Sequence, residues 1–183
     1  MSIIELMILG FLAEKPMCGY TLRKKMEQLQ GSTRTFSDGA IYPATKRLVD
    51  AGMISQRDET MDGRQRRQFT LEEPGENRLA EALAEADGFY ISDTGKWNVV
   101  LTFLSFLDSA TRRNAVLRRR YDYLVSSDVH YFYCDSGRAL EASEIKDPYR
   151  QGIIAVHEAA LAAELAWLRS VLGIAQLAGA TRS

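Results

Sequence analysis

The sequence predicts a mainly helical protein with one small β-hairpin, and three observations carry that prediction. Residues 1–52 hold short stretches with apolar side chains at helical spacing. An Asp-Gly dipeptide, Asp62-Gly63, then sits between two strand-compatible runs. The remainder is helical again, with more apolar faces than one chain can cover, which argues for a second copy.

The first helix opens with a capping box, in which Ser2 accepts from the Glu5 amide and the Glu5 carboxylate reaches back to the Ser2 amide. Ile3, Ile4, Leu6, Met7, Leu9, Phe11 and Leu12 wrap most of its circumference, so it should be buried on several sides. Pro16 ends it. A second helix starts near Gly19-Tyr20, buries Leu22, Met26 and Leu29, and closes at Gly31-Ser32. Ser37 or Asp38 can cap a third, whose inward stripe is Ile41, Ala44, Leu48 and Ala51, with Gly52 at a left-handed stop. Its other face presents Tyr42, Thr45, Lys46 and Val49, bordered by Arg47.

Ile54–Asp58 and Gln65–Leu71 read as the two strands. Arg67, Phe69 and Leu71 share one side of the return strand, and Arg66, Gln68 and Thr70 the other. A fourth helix is expected from about Pro74 to Asp87, and Gly88–Gly95 reads as a linker. A fifth helical stretch starts near Lys96, breaks at Asp108-Ser109, and continues as a basic-aromatic segment through Tyr133. Residues 134–147 look loop-like, and Pro148 suits the first turn of a last helix with the apolar seam Ile154, His157, Leu161, Leu165, Leu168 and Leu172. By role, the chain divides into residues 1–87, residues 88–178 for pairing and effector sensing, and a flexible tail at 179–183.

Composition narrows the function. Apolar residues are 46% and charged residues 26%, with a net charge of −1, as expected of a globular chain. The start lacks a basic n-region, and two distant cysteines, Cys18 and Cys134, suggest a reducing cytoplasm and small inert hydrophobes. There is no nucleotide-binding loop and no catalytic triad order, so an enzyme is not expected; His130 and Cys134 are too few for a metal. No cofactor is expected.

Three helices followed by a hairpin describe a winged helix-turn-helix. A third helix of this kind fits the major groove, ~12 Å wide, while the hairpin lies against backbone or minor groove. A few arginines on a hairpin alone would be only a solvated edge; the order of elements favours DNA. Tyr42, Thr45 and Lys46 can then reach base edges, and Arg57, Arg64, Arg66 and Arg67 suit phosphates or a narrow minor groove. Tyr42 keeps two readings: its hydroxyl on a phosphate or sugar, or its ring packed between helix and wing.

Leu9-Gly10-Phe11-Leu12-Ala13-Glu14 through Gly19-Tyr20, and Phe36-Ser37-Asp38-Gly39-Ala40-Ile41-Tyr42-Pro43-Ala44-Thr45-Lys46-Arg47-Leu48, resemble the PadR family of transcriptional regulators. Gly52-Met53-Ile54, the wing Gly63–Phe69, Gly75 and Ala166-Trp167-Leu168-Arg169 fit the longer members as well. Glu72 departs from the family pattern, which has a capping Thr there. The resemblance implies a dimeric, mostly repressive DNA-binding protein that small effectors release. The expected DNA contacts are Tyr20, Ser37, Gly39, Ala40, Tyr42, Pro43, Thr45, Lys46, Arg47, Arg64, Arg66 and Arg67. Pairing is expected through Ile154, Leu161, Leu165, Trp167, Leu168 and Leu172.

For an effector, Arg150 beside Tyr149 in the first turn of the last helix offers an anion site, and a small aromatic carboxylate is the expected ligand. Tyr20, Trp97, Tyr121, Tyr149, Arg150 and His157 form that expected set. Two readings of Arg150 stand equally: ligand contact, or a surface pair with Asp147. Arg118-Arg119-Arg120 is expected to be solvated or paired with nearby acids such as Asp122.

Overall fold

The capping box at Ser2 forms as expected: Glu5 N donates to Ser2 Oγ at 3.2 Å, and Ser2 N to a Glu5 carboxylate oxygen at 2.9 Å. It launches α1 (Ile3–Glu14), in which Leu6 through Leu12 are all buried. The computed structural model describes residues 1–31, 36, 38–61, 64–126 and 132–174, with backbone only for Asp38, Thr60, Met61, Arg64, Gln65 and Ala142. The turn at Asp62-Gly63, Ser37, His130, Tyr131 and the 179–183 tail lie outside it.

After α1 come β1 (Met17–Cys18), α2 (Gly19–Leu29), α3 (Asp38–Asp50), β2 (Ile54–Met61), β3 (Arg64–Leu71) and α4 (Glu73–Ala84). The sheet has three strands in the order β1-β3-β2, all antiparallel, rather than the expected two. β1 escaped detection because two residues carry no periodicity. Its pairings Met17↔Phe69 and Cys18↔Gln68 anchor the start of α2 to the wing. Gly52 stops α3 at φ +67°, the left-handed value that glycine adopts without steric cost. Glu72 caps α4 without a side-chain hydrogen bond, as the departure from Thr implies. At Gly75, an added Cβ would meet Met53 O at 2.2 Å, so only glycine lets α4 lie against the chain entering the wing.

The expected linker at Gly88–Gly95 contains a short helix, α5 (Phe89–Ser92), followed directly by α6 (Thr94–Phe103). Asp93 caps α6 by accepting from Lys96 N at 2.8 Å. These elements join the winged helix. The Phe103 ring seats on Gly10, where a Cβ would come within 2.5 Å, and meets Phe11 edge-on with centroids 5.0 Å apart. Tyr90 of α5 donates its hydroxyl to Met1 O at 2.6 Å. A 3₁₀ turn (Leu104–Phe106) precedes α7 (Ala110–Ser126), with the break falling at Asp108-Ser109 as expected. By packing, one compact unit spans Met1–Val116 and a second spans Leu117–Ser183.

α7 is described to Ser126, and residues 127–131 of the expected segment lie outside the described residues; in the second unit α8 (Pro148–Leu172) runs until Gly173 at φ +64°. Arg120 is not a solvated surface residue. It is 2% exposed and meets Glu164 through two hydrogen bonds of 2.8 Å. Such a fork satisfies both charges, which an isolated buried cation could not tolerate. Arg118 instead lies 5.8 Å from the Tyr121 ring centroid.

Candidate nucleic-acid interface

The third helix turns Ile41, Ala44, Thr45 and Leu48 inward. With about 100° per residue, Gly39, Pro43, Lys46 and Asp50 fall on the opposite, outward line, Tyr42 lies to one side of it, and Arg47 to the other. Gly39, Tyr42, Pro43, Lys46 and Arg47 are exposed, and Ala40 is half-buried. Pro43, the sixth residue of α3, lies inside the helix, where it has no N–H to donate back to the Gly39 carbonyl.

Thr45 departs from the expected base-reading role. It is 5% exposed, and its hydroxyl donates to Ile41 O at 3.2 Å and Tyr42 O at 2.9 Å. A threonine on a helix readily satisfies its hydroxyl this way, which lets it serve as a buried residue. Arg47 is also committed within its own chain. Its guanidinium meets Glu5 at 2.8 Å, and Nε donates to the same oxygen at 2.9 Å. Burial raises the Glu5 pKa, but hydrogen bonds from Ser2 and Arg47 outweigh it and hold the carboxyl below its ordinary value. The carboxylate half of the capping box of α1 thereby fastens the last turn of α3.

Lys46 remains outward, 2.7 Å from Asp50 one turn along, and that hydrogen bond raises its pKa. An exposed i,i+4 pair of this kind is screened by solvent and holds Lys46 only weakly.

On the wing, Asp58 faces Arg67 across β2–β3, 3.6 Å from its Nε. Arg67 also donates to the Tyr42 hydroxyl at 3.4 Å, the main cause of its raised pKa. Tyr42 therefore touches the wing while 60% exposed, a position between its two expected readings. Arg66 is exposed, and its field helps lower the Cys18 pKa, although burial raises that thiol and Thr21 hydrogen bonds do most of the lowering. Cys18 is thus a hydrogen-bonded thiol, 3.3 Å from Thr21 Oγ1, rather than an inert hydrophobe. Tyr20, 75% exposed, projects from the first turn of α2. Only the backbone of Arg64 is described.

Between α2, α3 and the wing lies a cleft of about 430 Å³ lined by Gly19, Arg23, Ile41, Tyr42, Thr45, Asp58, Arg66, Arg67 and Phe69. The wing arginines are legible in the sequence; the cleft is not, because it depends on β1 pairing with β3, which brings Gly19 beside Phe69.

The expected effector residues are not gathered in this way. Trp97, 1% exposed, is core of the first unit and cannot wall an open site. Tyr121, Tyr149, Arg150 and His157 belong to the second unit. There Asp147 caps α8 and lies 3.7 Å from Arg150, the pairing reading, while Arg150 also sits 5.3 Å from the Phe132 ring centroid. Among the expected pairing residues of α8, Leu168 is buried, Ile154, Leu161, Leu165 and Leu172 are half-buried, and Trp167 is exposed. A second apolar stripe is open to solvent, formed by Tyr149, Ile153, Val156, Trp167 and Val171. Among the described residues no group of three or more acids, histidines or cysteines could hold a metal, and no helix is long and apolar enough to cross a membrane.

Residues 8–81 match the profile of the transcriptional regulator PadR-like family. No curated protein matches the chain. Among solved structures, it is similar to Bacillus subtilis PadR in complex with operator DNA, at 19% identity over 94% of this chain and 99% of that one, with a TM-score of 0.45. The same protein in complex with p-coumaric acid gives 20% identity, 94% and 98% coverage, and 0.41. Streptococcus mutans smu.1704 gives 26% identity over 45% of this chain and 74% of its own, at 0.41.

Proposed function

We propose that this chain, whose residues 8–81 form a PadR-like transcriptional-regulator domain, binds duplex DNA as a homodimer in the cytoplasm and represses transcription until a small ligand releases it. The observation that carries the reading is the outward line of α3. Gly39 and Pro43 are small enough for close approach, Lys46 follows them, and Tyr42 and Arg67 flank that line on the wing side. A helix entering the major groove needs such a low profile, and flanking guanidinium groups provide the phosphate contacts that fix its register. Arg66 and Tyr20 extend the same surface, and Lys46 is the best placed residue to reach a base edge.

The exposed apolar residues of α8 support the same reading. The open stripe on α8 suits a second copy, and two recognition helices about one helical turn apart, ~34 Å, would read a pseudo-palindrome. A small aromatic carboxylate remains the proposed effector class, with Arg150 one candidate contact.

Mobility shift with DNA from upstream of the chain's own gene tests the proposal. Wild type should shift it, Lys46→Ala and Arg66→Ala should each weaken the shift, and Arg66→Ala should also flatten the salt dependence by about one unit in log–log slope. If neither change alters binding, α3 and the wing do not face DNA as described. A winged helix that serves protein partners instead would leave the DNA unshifted.

A further inference from the structure

We infer that Tyr90 is a positioning residue for DNA recognition: from α5 it fixes the last turn of α3 through hydrogen bonds that cross one peptide group and the Glu5 carboxylate. Tyr90 donates its hydroxyl to Met1 O at 2.6 Å. The N–H of that same peptide group, on Ser2, donates to Glu5 Oε2 at 2.9 Å. The other carboxylate oxygen, Oε1, accepts from Arg47 Nε at 2.9 Å and lies 2.8 Å from Arg47 Nη2. The chain of bonds joins α5, α1 and α3, all inside the unit Met1–Val116.

Each link supports the next. A hydrogen bond to a peptide carbonyl polarises the peptide and makes its N–H a better donor. The Glu5 side chain is 15% exposed, so water screens its bonds less than those of a surface pair. Burial, and then the Glu5 charge, raise the Tyr90 pKa against a smaller pull from Arg78, and the hydroxyl stays a donor. α3 needs this outside hold because Pro43 leaves the Gly39 carbonyl without its helical partner. The direction of its second half, which carries Lys46, then depends on where Arg47 is held. Once released, Arg47 is a cation that meets any phosphate and reads no base. Tyr90 therefore acts on specificity, through Glu5, and this role rests on the reading of α3 as the DNA-facing helix.

Fluorescence anisotropy on the full chain tests the inference with two duplexes, one from upstream of the gene and a shuffled one of equal composition. Tyr90→Phe removes a single hydroxyl. It should weaken binding of the upstream duplex about fivefold, the effect of one hydrogen bond, and leave the shuffled duplex unchanged. In a Glu5→Gln background the same change should cost less than about twofold. NMR without DNA gives a second readout: the Arg47 Nε–H signal should move in Tyr90→Phe while the backbone signals of the α1 core do not. Unchanged affinity for the upstream duplex, equal weakening of both duplexes, full additivity with Glu5→Gln, or an unmoved Arg47 signal overturns the positioning role. A wild type that prefers neither duplex overturns the DNA reading and with it the role in specificity, while a moved Arg47 signal still upholds the chain of hydrogen bonds.

Discussion

Two apolar helices meet opposite fates in this molecule. α1 is 12 residues long and buries Leu6 through Leu12 without a gap. α8 is 25 residues long, and Leu168 is its one buried residue, while Ile153 and Val156 are 51% and 72% exposed. α1 is the post around which α2, α3, α4 and α6 gather, whereas α8 carries apolar surface well beyond what its own chain covers. Hydrophobic content alone therefore does not tell whether a helix is buried; topology decides how much of its surface the chain itself covers.

Breaking each helix should separate the two cases. Truncating the core around α1, with Leu9→Ala or Phe103→Ala, should cost about 3–5 kcal/mol of unfolding free energy in urea titrations. Placing charge on the open stripe, with Ile153→Asp and Val156→Asp together, should cost the fold little. If α8 pairs, sedimentation should show association weakened at least ~30-fold, the effect of losing about 2 kcal/mol at an interface. An unchanged association state would mean that another surface does the pairing.

A smaller effect sharpens the role of α1 as the holder of α3. Glu5→Gln should cost about 1 kcal/mol by weakening the tie to Arg47. Because the Glu5 pKa is lowered in the folded state, its contribution is complete above the unfolded carboxylate value and fades as pH falls through the folded one. The cost of Glu5→Gln should accordingly shrink in acid, where the wild-type carboxyl also protonates. A cost independent of pH would place the effect elsewhere.

The smallest effect concerns the second unit. Arg138 hydrogen-bonds Glu144 at 2.9 and 2.7 Å and holds its carboxyl pKa down to about 2. An NMR titration should find Glu144 still ionised where ordinary glutamates have protonated. This pair should release only near pH 2, with no change in the α1 core signals.

Much of the first unit was legible because its signals are local. The capping box, Gly52, the hairpin strands and the Asp108-Ser109 break each depend on residues a few positions apart, and local backbone preferences fix them. The reach of the core to Val116 was not legible, since Phe103 finds Gly10 only through packing. Likewise, helical spacing placed Thr45 and Arg47 near the outward face of α3, but it could not say what lies beside them.

The chain's own pattern determined the order of elements, the burial of α1, and the outward positions of Tyr42, Lys46 and the wing arginines, because periodicity and turn chemistry act over one or two turns. Only the tertiary structure decided that Thr45 turns in, that Arg47 answers to Glu5, that Arg120 is buried on Glu164, and that Met17–Cys18 forms the third strand. Those outcomes depend on partners brought together by folding. A side chain's freedom to meet a ligand is set by what packs next to it in space, and single-chain spacing carries no record of that neighbour.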